Sequence, residues 1–317
     1  MKKFGFIFLL MSLFASCNLY QKYVVKQMKQ MNQAGLTNYT GVFPNGKRSV
    51  SFTGTFDQNK KNLLLIHGYQ GSSYAQWSVN VEELSKHFNI VAPDLNYHGS
   101  TYLPSDFSIE MQSDLVKDLM QQISDYTGDS SVANAKYIVV GSSYGGLVGA
   151  RFAEKYPERV SAYVSLDGLT GCFDRSFTDS VAVSAGAKDA VALLNPTTGK
   201  ELKKLASLEK PVHIPNFILN QVAEQHFCTH RNEKIKLLNY LNEHEKELSN
   251  HTFQWSCPVY LVWGENDKII PLTTAKCLKQ KYQIPDNRVF IYPNTGHILN
   301  MQNPKAFNKW VIETFAN

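Results

Sequence analysis

The sequence lacks the features that mark several common classes of protein. Its 32 Lys and Arg against 27 Asp and Glu leave a formal net charge of only +5, and no basic cluster offers a surface for nucleic acid. Its five cysteines form no C-x-x-C pair, so neither a zinc knuckle nor a thioredoxin-like motif is expected. It contains no fixed-period repeat, which argues against a solenoid. The 317 residues, 43% of them hydrophobic, suffice for one large globular domain.

Residues 1–17 have the pattern of an export signal. Lys2 and Lys3 precede an apolar run over residues 4–15, which is too short to span a bilayer of about 30 Å as a helix. Ser16 and Cys17 follow the run directly. The whole segment resembles a bacterial lipoprotein signal, in which the cysteine is lipidated. We therefore expect export to a bacterial cell envelope and a membrane anchor on Cys17. A plain cleaved signal and an uncleaved anchor are the alternatives.

Four further cysteines lie in the remainder of the chain: Cys172, Cys228, Cys257 and Cys277. In an oxidising compartment some of them could pair, but the sequence does not define the connectivity. Buried free thiols are the alternative interpretation.

The order of apolar segments predicts an α/β fold. Residues 18–36 are interpreted as a tether, with a short amphipathic helix as the alternative. Apolar strands then alternate with helices over residues 37–169, and the same rhythm returns over residues 255–317. Residues 170–254 hold helix-like pieces without strong strands. We expect a mostly parallel central sheet flanked by helices, with a helical lid insertion above the carboxyl ends of the strands.

One strand ends in a motif that is typical of a serine nucleophile. The apolar run at 137–140 leads into Gly141-Ser142-Ser143-Tyr144-Gly145, which reads G-x-S-x-G, and an amphipathic helix follows. The glycines are needed because the serine occupies a sharp turn between strand and helix. The pattern predicts Ser143 as the nucleophile; Ser142 is the less suitable candidate because it is off the middle position.

A serine hydroxyl needs a base to accept its proton and an acid to orient that base. Two later strands run into Asp267 and His297, so the chain order is serine, aspartate, histidine. Asp167 follows an earlier strand and is the alternative acid.

Four motifs carry a resemblance to a known family: HGYQGSSYAQW (67–77), GSSYGG (141–146), GEND (264–267) and NTGHILN (294–300). With these motifs in this order, residues 38–315 resemble the α/β-hydrolase family. The resemblance implies that Ser143 is the nucleophile, His297 the general base and Asp267 its orienting acid. It also implies that the backbone N–H groups of Tyr69 and Tyr144 form an oxyanion hole.

The resemblance implies a serine hydrolase that cleaves a carboxylic ester or similar acyl bond of a small molecule through an acyl-enzyme, without a cofactor. Lipase, thioesterase, carbon–carbon bond hydrolase, acyltransferase and peptidase chemistry on the same triad remain alternatives. A non-catalytic surface protein that binds a ligand on this fold is a further one. The oligomeric state is left open.

Two further clusters remain ambiguous in the sequence. Tyr74, Trp77 and Tyr97 are predicted to line an apolar substrate pocket, although aromatic residues of this kind also serve as packing. His226, Cys228 and His230 lie close together in the insert, but no carboxylate accompanies them, so no metal site is predicted.

Overall fold

The computed structural model describes residues 19–104, 106–172, 174–208 and 211–316. The export signal predicted for residues 1–17, with Cys17, lies outside the described residues. The strands are β1 (Leu36–Phe43), β2 (Gly46–Thr53), β3 (Lys61–Ile66), β4 (Phe88–Pro93), β5 (Tyr137–Ser142), β6 (Val160–Leu166), β7 (Val259–Gly264) and β8 (Val289–Tyr292). They form one eight-stranded sheet in the order β1-β2-β4-β3-β5-β6-β7-β8.

The sheet is mostly parallel, as predicted. β1, β2 and β4 pair in antiparallel fashion at one edge, and every pairing from β4 to β8 is parallel. The carboxyl ends of β3 to β8 therefore meet along a single edge, where polar loop residues can converge.

The helices up to the end of β6 are α1 (Leu19–Gln33), α2 (Ser73–Trp77), α3 (Val81–Leu84), α4 (Ile109–Thr127), α5 (Ser130–Asn134) and α6 (Tyr144–Lys155). The helices between β6 and β7 are α7 (Arg175–Ser184), α8 (Ala190–Leu194), α9 (Gly199–Ser207), α10 (Asn216–Val222), α11 (Arg231–Glu243) and α12 (Glu245–Asn250), with one π-helical turn at Ala223–Phe227. After β7 follow α13 (Leu272–Lys281), α14 (Leu299–Gln302) and α15 (Pro304–Phe315). None of the helices within the described ranges is both long and apolar enough to cross a bilayer.

The central strands are apolar on both faces because helices cover the sheet on both sides. In β3, Leu63 and Leu65 contribute to one core, whereas Leu64 and Ile66 contribute to the other. This explains why the strand reads as an uninterrupted apolar run rather than an alternating one.

The spacing of Trp77, Val81, Leu84 and Phe88 in the sequence predicts a single helix over residues 75–88, and the structure differs from this prediction. The structure has two short helices, α2 and α3, with Asn80 between them. The Asn80 side chain is buried and donates to the carbonyl of Asn300 at 3.1 Å and to Oδ1 of Asn308 at 2.9 Å. These long-range contacts favour the break over the continuous helix that the local pattern suggests.

The interpretation of residues 18–36 as a tether is corrected by the structure. Residues 19–33 form α1, the alternative considered from sequence, and this helix packs on the domain. Tyr20, Gln27 and Met31 are buried, and the Gln27 amide donates to the carbonyl of Ala75 at 3.3 Å. The helix forms because its buried positions recur at helical spacing and meet an apolar surface.

Two of the four cysteines whose pairing was left open are joined. Cys172, at the start of the insert, forms a disulfide with Cys277 of α13. Cys228 and Cys257 are free thiols, the first exposed and the second half-buried. The disulfide therefore attaches the start of the helical insert to the second part of the core.

If α1 is part of the folded domain, truncating its buried face must destabilise the whole protein. We expect Met31→Ala to lower the free energy of unfolding by about 2–3 kcal/mol, because Met31 is 0% exposed. The matched control is Met28→Ala in the same helix, where the side chain is 37% exposed and the loss should stay below about 0.5 kcal/mol. Urea denaturation of both variants measures the difference; equal effects would contradict the packed helix.

Candidate active site

Ser143 occupies the turn between β5 and α6 in a strained backbone conformation. Its φ of 53° and ψ of −122° are unfavourable for a residue with a side chain. Hydrogen bonds from the N–H group and to the carbonyl oxygen of Ser143 hold this conformation. The Ser143 N–H donates to Leu166 at 3.0 Å, and its carbonyl accepts from Gly146 at 2.8 Å and Leu169 at 2.9 Å. The turn therefore fixes the direction of the hydroxyl.

The two glycines of the motif are required by close backbone approaches. A Cβ on Gly141 would lie 2.3 Å from the carbonyl oxygen of Gly145. A Cβ on Gly145 would lie 2.4 Å from the carbonyl oxygen of His67. Any side chain at either position would force β3, β5 and α6 apart, so the sequence pattern has a direct steric cause.

A continuous hydrogen-bond chain joins the three predicted residues. The Oγ of Ser143 lies 2.8 Å from Nε2 of His297, and Nδ1 of His297 lies 2.7 Å from Oδ2 of Asp267. The other carboxylate oxygen of Asp267 accepts from the N–H groups of Ile269 at 2.7 Å and Ile270 at 2.9 Å. The carboxylate is thus fixed in position to accept a hydrogen bond from the Nδ1–H of His297, which leaves Nε2 free to accept a hydrogen bond from the serine.

The loops that carry Asp267 and His297 are tied together at the ends of β7 and β8. The N–H of Asn266 donates to the carbonyl of Thr295 at 2.9 Å. A Cβ on Gly264 would lie 2.2 Å from the carbonyl of Gly296, so only glycine permits this approach. Neighbouring parallel strands therefore bring the carboxylate and the imidazole to one place.

The alternative residues have other contacts. The carboxylate of Asp167 accepts from the N–H of Gly264 at 2.7 Å, and the Asp167 N–H donates to Val262 at 2.9 Å. Asp167 thus fastens the end of β6 to β7. Ser142 is the last residue of β5 and is buried, whereas the side chain in contact with His297 belongs to Ser143.

The two predicted oxyanion donors adjoin Ser143 in different ways. Tyr144 directly follows it and is the first residue of α6, where an N–H has no acceptor within the helix. Tyr69 follows Gly68 in a turn closed by the Gly71 N–H and the Gly68 carbonyl at 3.0 Å. A Cβ on Gly68 would lie 3.0 Å from the Cβ of Ser143, so this turn lies against the serine.

Several residues that position the site escaped sequence reasoning. The side-chain oxygen of Gln76 accepts from the N–H of Gly68 at 2.8 Å and so anchors the turn that carries Tyr69. Asn300 lies in the helix that follows His297, and its side-chain amide donates to the backbone carbonyl of Gln76 at 3.1 Å. Glutamine and asparagine give no distinctive local pattern, and their role depends on contacts between distant segments.

A partly buried polar cluster contacts the same turn through Gln70. His226 Nε2 lies 2.6 Å from the Gln70 carbonyl, and its Nδ1 lies 3.1 Å from the Tyr20 hydroxyl of α1. The ammonium of Lys234 donates to the Gln70 side chain at 2.5 Å. Burial lowers the pKa of His226 to about 4 and that of Lys234 to about 8, since desolvation disfavours both charged forms. His226 is therefore a neutral contact residue at pH 7.

His67 and His98 are fully buried and make structural hydrogen bonds in the loops that carry them. The N–H of Leu95 donates to Nε2 of His67 at 3.0 Å, and Nδ1 of His98 bonds to the Asn96 carbonyl at 2.8 Å. Burial lowers the pKa of both imidazoles, so both are neutral. Among the residues that the structure describes, no group of His, Cys, Asp or Glu side chains is arranged to hold a metal ion.

The serine lies at the junction of two apolar cavities. The larger, of about 360 Å³, reaches Ser143 and His297 and is lined by side chains from α1, α9, the π-helical turn and the loop after β8. The smaller, of about 70 Å³, reaches Ser143 from the side of α8 and α11. Tyr69 borders both cavities, and Tyr74, one of the predicted pocket residues, borders the larger one.

Two predicted pocket residues line neither cavity. Trp77 is 0% exposed and packs in the core, with its ring centre 6.3 Å from that of Phe307. Tyr97 is buried against Phe107, with ring centres 5.1 Å apart, and its hydroxyl donates to the Asp106 carbonyl. The prediction is wrong for both because each ring packs against another aromatic side chain instead of lining a cavity.

Fold and site together define the class of this protein. The family model described as alpha/beta hydrolase fold matches residues 61–304. The chain belongs to the α/β-hydrolase family and is an enzyme of that fold.

Curated relatives and solved structures agree with this assignment. The chain is similar to monoacylglycerol lipase ABHD6 of Homo sapiens, with 25% identity over 82% of this chain and 76% of that protein. It is similar to a putative carbamate hydrolase, RutD, of Shigella flexneri, with 25% identity over 80% of this chain and 91% of that protein. Among solved structures, a bacterial membrane phospholipase A superposes with a TM-score of 0.72 and 18% sequence identity. The match covers 99% of this chain and 97% of that chain. This last likeness supports the fold alone.

Proposed function

We propose that the protein is a serine hydrolase that cleaves a carboxylic ester through an acyl-enzyme intermediate. The observation that carries this proposal is the hydrogen-bond chain from Ser143 through His297 to Asp267. Such a chain lets a neutral imidazole accept the serine proton while a fixed carboxylate stabilises the imidazolium that forms.

In the first half-reaction, the Ser143 oxygen attacks the ester carbonyl as its proton moves to Nε2 of His297. The resulting oxyanion accepts hydrogen bonds from the N–H groups of Tyr69 and Tyr144, each worth on the order of 3 kcal/mol. The tetrahedral intermediate expels the alcohol, which takes the proton from Nε2. In the second half-reaction, water gives its proton to Nε2 and attacks the acyl-serine, and the acid leaves as Ser143 regains its proton.

The substrate class that suits the site best is an ester with a long apolar part. The lining of the larger cavity includes Leu202, Leu205, Val222 and Phe227, which offer hydrocarbon surface rather than charge. The named lipase relative supports a lipase-type activity over the peptidase, thioesterase, acyltransferase and carbon–carbon hydrolase alternatives. A binding protein without catalysis has no use for an aligned serine, imidazole and carboxylate.

We further propose that the mature enzyme is anchored to a bacterial envelope membrane by a lipid on Cys17. The Cys172–Cys277 disulfide supports an oxidising compartment outside the cytosol. The signal pattern of residues 1–17 supplies the route.

The nucleophile is tested by a pair of adjacent serines. Ser143→Ala should abolish hydrolysis of p-nitrophenyl butyrate and labelling by a fluorophosphonate probe, while the melting temperature changes little. Ser142→Ala should keep most of the activity, because the hydroxyl that lies 2.8 Å from Nε2 of His297 belongs to Ser143. Activity that survives in the Ser143 variant, or a wild-type protein that resists the probe, would exclude the acyl-enzyme mechanism.

The acid is tested by a pair of aspartates. Asp267→Asn should lower kcat by about 10⁴-fold, because the imidazole loses the carboxylate that fixes its tautomer and stabilises its charged form. Asp167→Asn should lower kcat far less, since an amide oxygen can still accept from the Gly264 N–H. Steady-state kinetics on one aryl ester, with melting temperatures as a folding control, compares the two. The reverse ranking would transfer the acid role to Asp167.

The anchor is tested by fractionation of the protein expressed in a bacterium. Wild-type protein should appear in the membrane fraction as a processed, lipid-modified species, which intact mass spectrometry detects. Cys17→Ala should lack the lipid, and Cys228→Ala serves as the control because it removes an exposed cysteine outside the signal. Unprocessed wild-type protein in the cytosol would contradict the proposed location.

A further inference from the structure

Helix α1 forms part of the wall of the larger cavity. Tyr20, Tyr23 and Gln27 line this cavity together with Ser143 and His297. Tyr23 is 52% exposed, so it stands at the mouth of the cavity rather than in its interior. The helix that follows the export signal therefore borders the opening that leads to the serine.

The helical geometry of α1 arranges its exposed side chains in two stripes next to this mouth. Each residue of an α-helix lies about 100° further round the axis. Tyr23 lies about 40° round the helix from Gln27, which lines the cavity, and Leu19 lies about 40° further round on the same side. Lys22 and Lys26 form the next stripe outwards. An exposed apolar stripe at the mouth is thus flanked by a basic stripe.

The charge of α1 has one sign only. Lys22, Lys26 and Lys29 are exposed, and the sequence LYQKYVVKQMKQMNQ contains no acidic residue. Lysines beside leucine and aromatic residues on one helix are typical of segments that lie at the surface of an anionic membrane.

Other parts of the mouth and its surroundings are apolar as well. Ile298, one residue after His297, is 36% exposed and lines the cavity, as does Met301. Phe217 is 56% exposed on α10, a helix that packs against α1. Exposed apolar side chains thus occur on more than one element around the opening.

We propose that α1, together with the exposed apolar side chains of Ile298 and Phe217 near the cavity mouth, docks onto an anionic lipid bilayer. The cavity then opens towards the membrane, and the enzyme takes its ester substrate from the bilayer. The proposal rests on the proposed hydrolase function, and it names the source of the substrate. The position of α1 immediately after the predicted lipidation site suits this orientation, since a lipid on Cys17 would hold this end of the domain at the bilayer.

The test compares hydrolysis at two kinds of vesicle. Full-length wild-type protein acts on a monoacylglycerol presented in phosphatidylcholine vesicles with or without phosphatidylglycerol, and on p-nitrophenyl butyrate in solution. The measured quantity is the ratio of the rates in anionic and neutral vesicles. In Lys22→Gln/Lys26→Gln/Lys29→Gln this ratio should fall at least about fivefold, because each lysine contributes to attraction by anionic lipid. The rate on the soluble ester should stay unchanged.

A matched variant controls for net charge. Lys276→Gln/Lys305→Gln/Lys309→Gln removes three exposed lysines from α13 and α15 and should keep the wild-type ratio. Raising the salt to about 0.5 M should lower the wild-type ratio towards that of the α1 variant. A ratio that is unchanged in the α1 variant, or equally reduced in the control, would overturn the proposal.

A second pair of variants tests whether the exposed apolar side chains of α1 contribute to docking. Leu19→Ser should slow hydrolysis at both kinds of vesicle, whereas Val183→Ser, at an exposed apolar residue of α7, should not. Self-association that depends on Leu19, with unchanged vesicle rates, would assign the surface to a second copy of the chain and overturn the bilayer as its occupant. Fluorophosphonate labelling and the soluble-ester rate report on the triad separately, so failure of docking is distinguishable from failure of the hydrolase mechanism.

Discussion

The strained backbone of Ser143 is the constraint on which the rest of the site depends. A φ of 53° at a residue with a side chain is unfavourable and persists only because surrounding contacts enforce it. The contacts come from β6, from the following loop and from α6, through the hydrogen bonds to Leu166, Leu169 and Gly146. The sheet thus holds the serine hydroxyl outside the turn, at the edge where the neighbouring strands end.

The remaining parts of the site are arranged around that hydroxyl by parallel strand order. β3 ends in the turn that carries Tyr69, and β7 and β8 end in the loops that carry Asp267 and His297. Each loop is fastened to its neighbour, by Asp167 to Gly264 at 2.7 Å and by Asn266 to Thr295 at 2.9 Å. The buried carboxylate of Asp167, which the sequence offered as the alternative acid, is therefore part of the scaffold that positions Asp267.

The features that the sequence could reveal are those with a local cause. The strands, the G-x-S-x-G turn and the order of Ser143, Asp267 and His297 depend on short-range pattern, steric fit and chain order. Sequence reasoning was wrong where long-range packing decides the structure. This applies to the tether interpretation of residues 18–36, to the continuous helix over residues 75–88 and to the pocket roles of Trp77 and Tyr97. The buried ring of Trp77 and the Asn80 side chain are decided by residues more than two hundred positions away, such as Phe307 and Asn308. Local propensity carries no information about such partners.

The N-terminal helix links the proposed membrane-docking surface to the candidate active site. Tyr20 of α1 contacts His226, and His226 contacts the carbonyl of Gln70, the residue after the predicted oxyanion donor Tyr69. Gln70 has a φ of 61°, so its turn, like that of Ser143, needs support from outside. A helix that borders the cavity mouth thus also stabilises the turn that would hold the oxyanion. If α1 docks on a bilayer as proposed, a shift of this helix would change both the cavity mouth and the turn that carries Tyr69, because α1 contacts both.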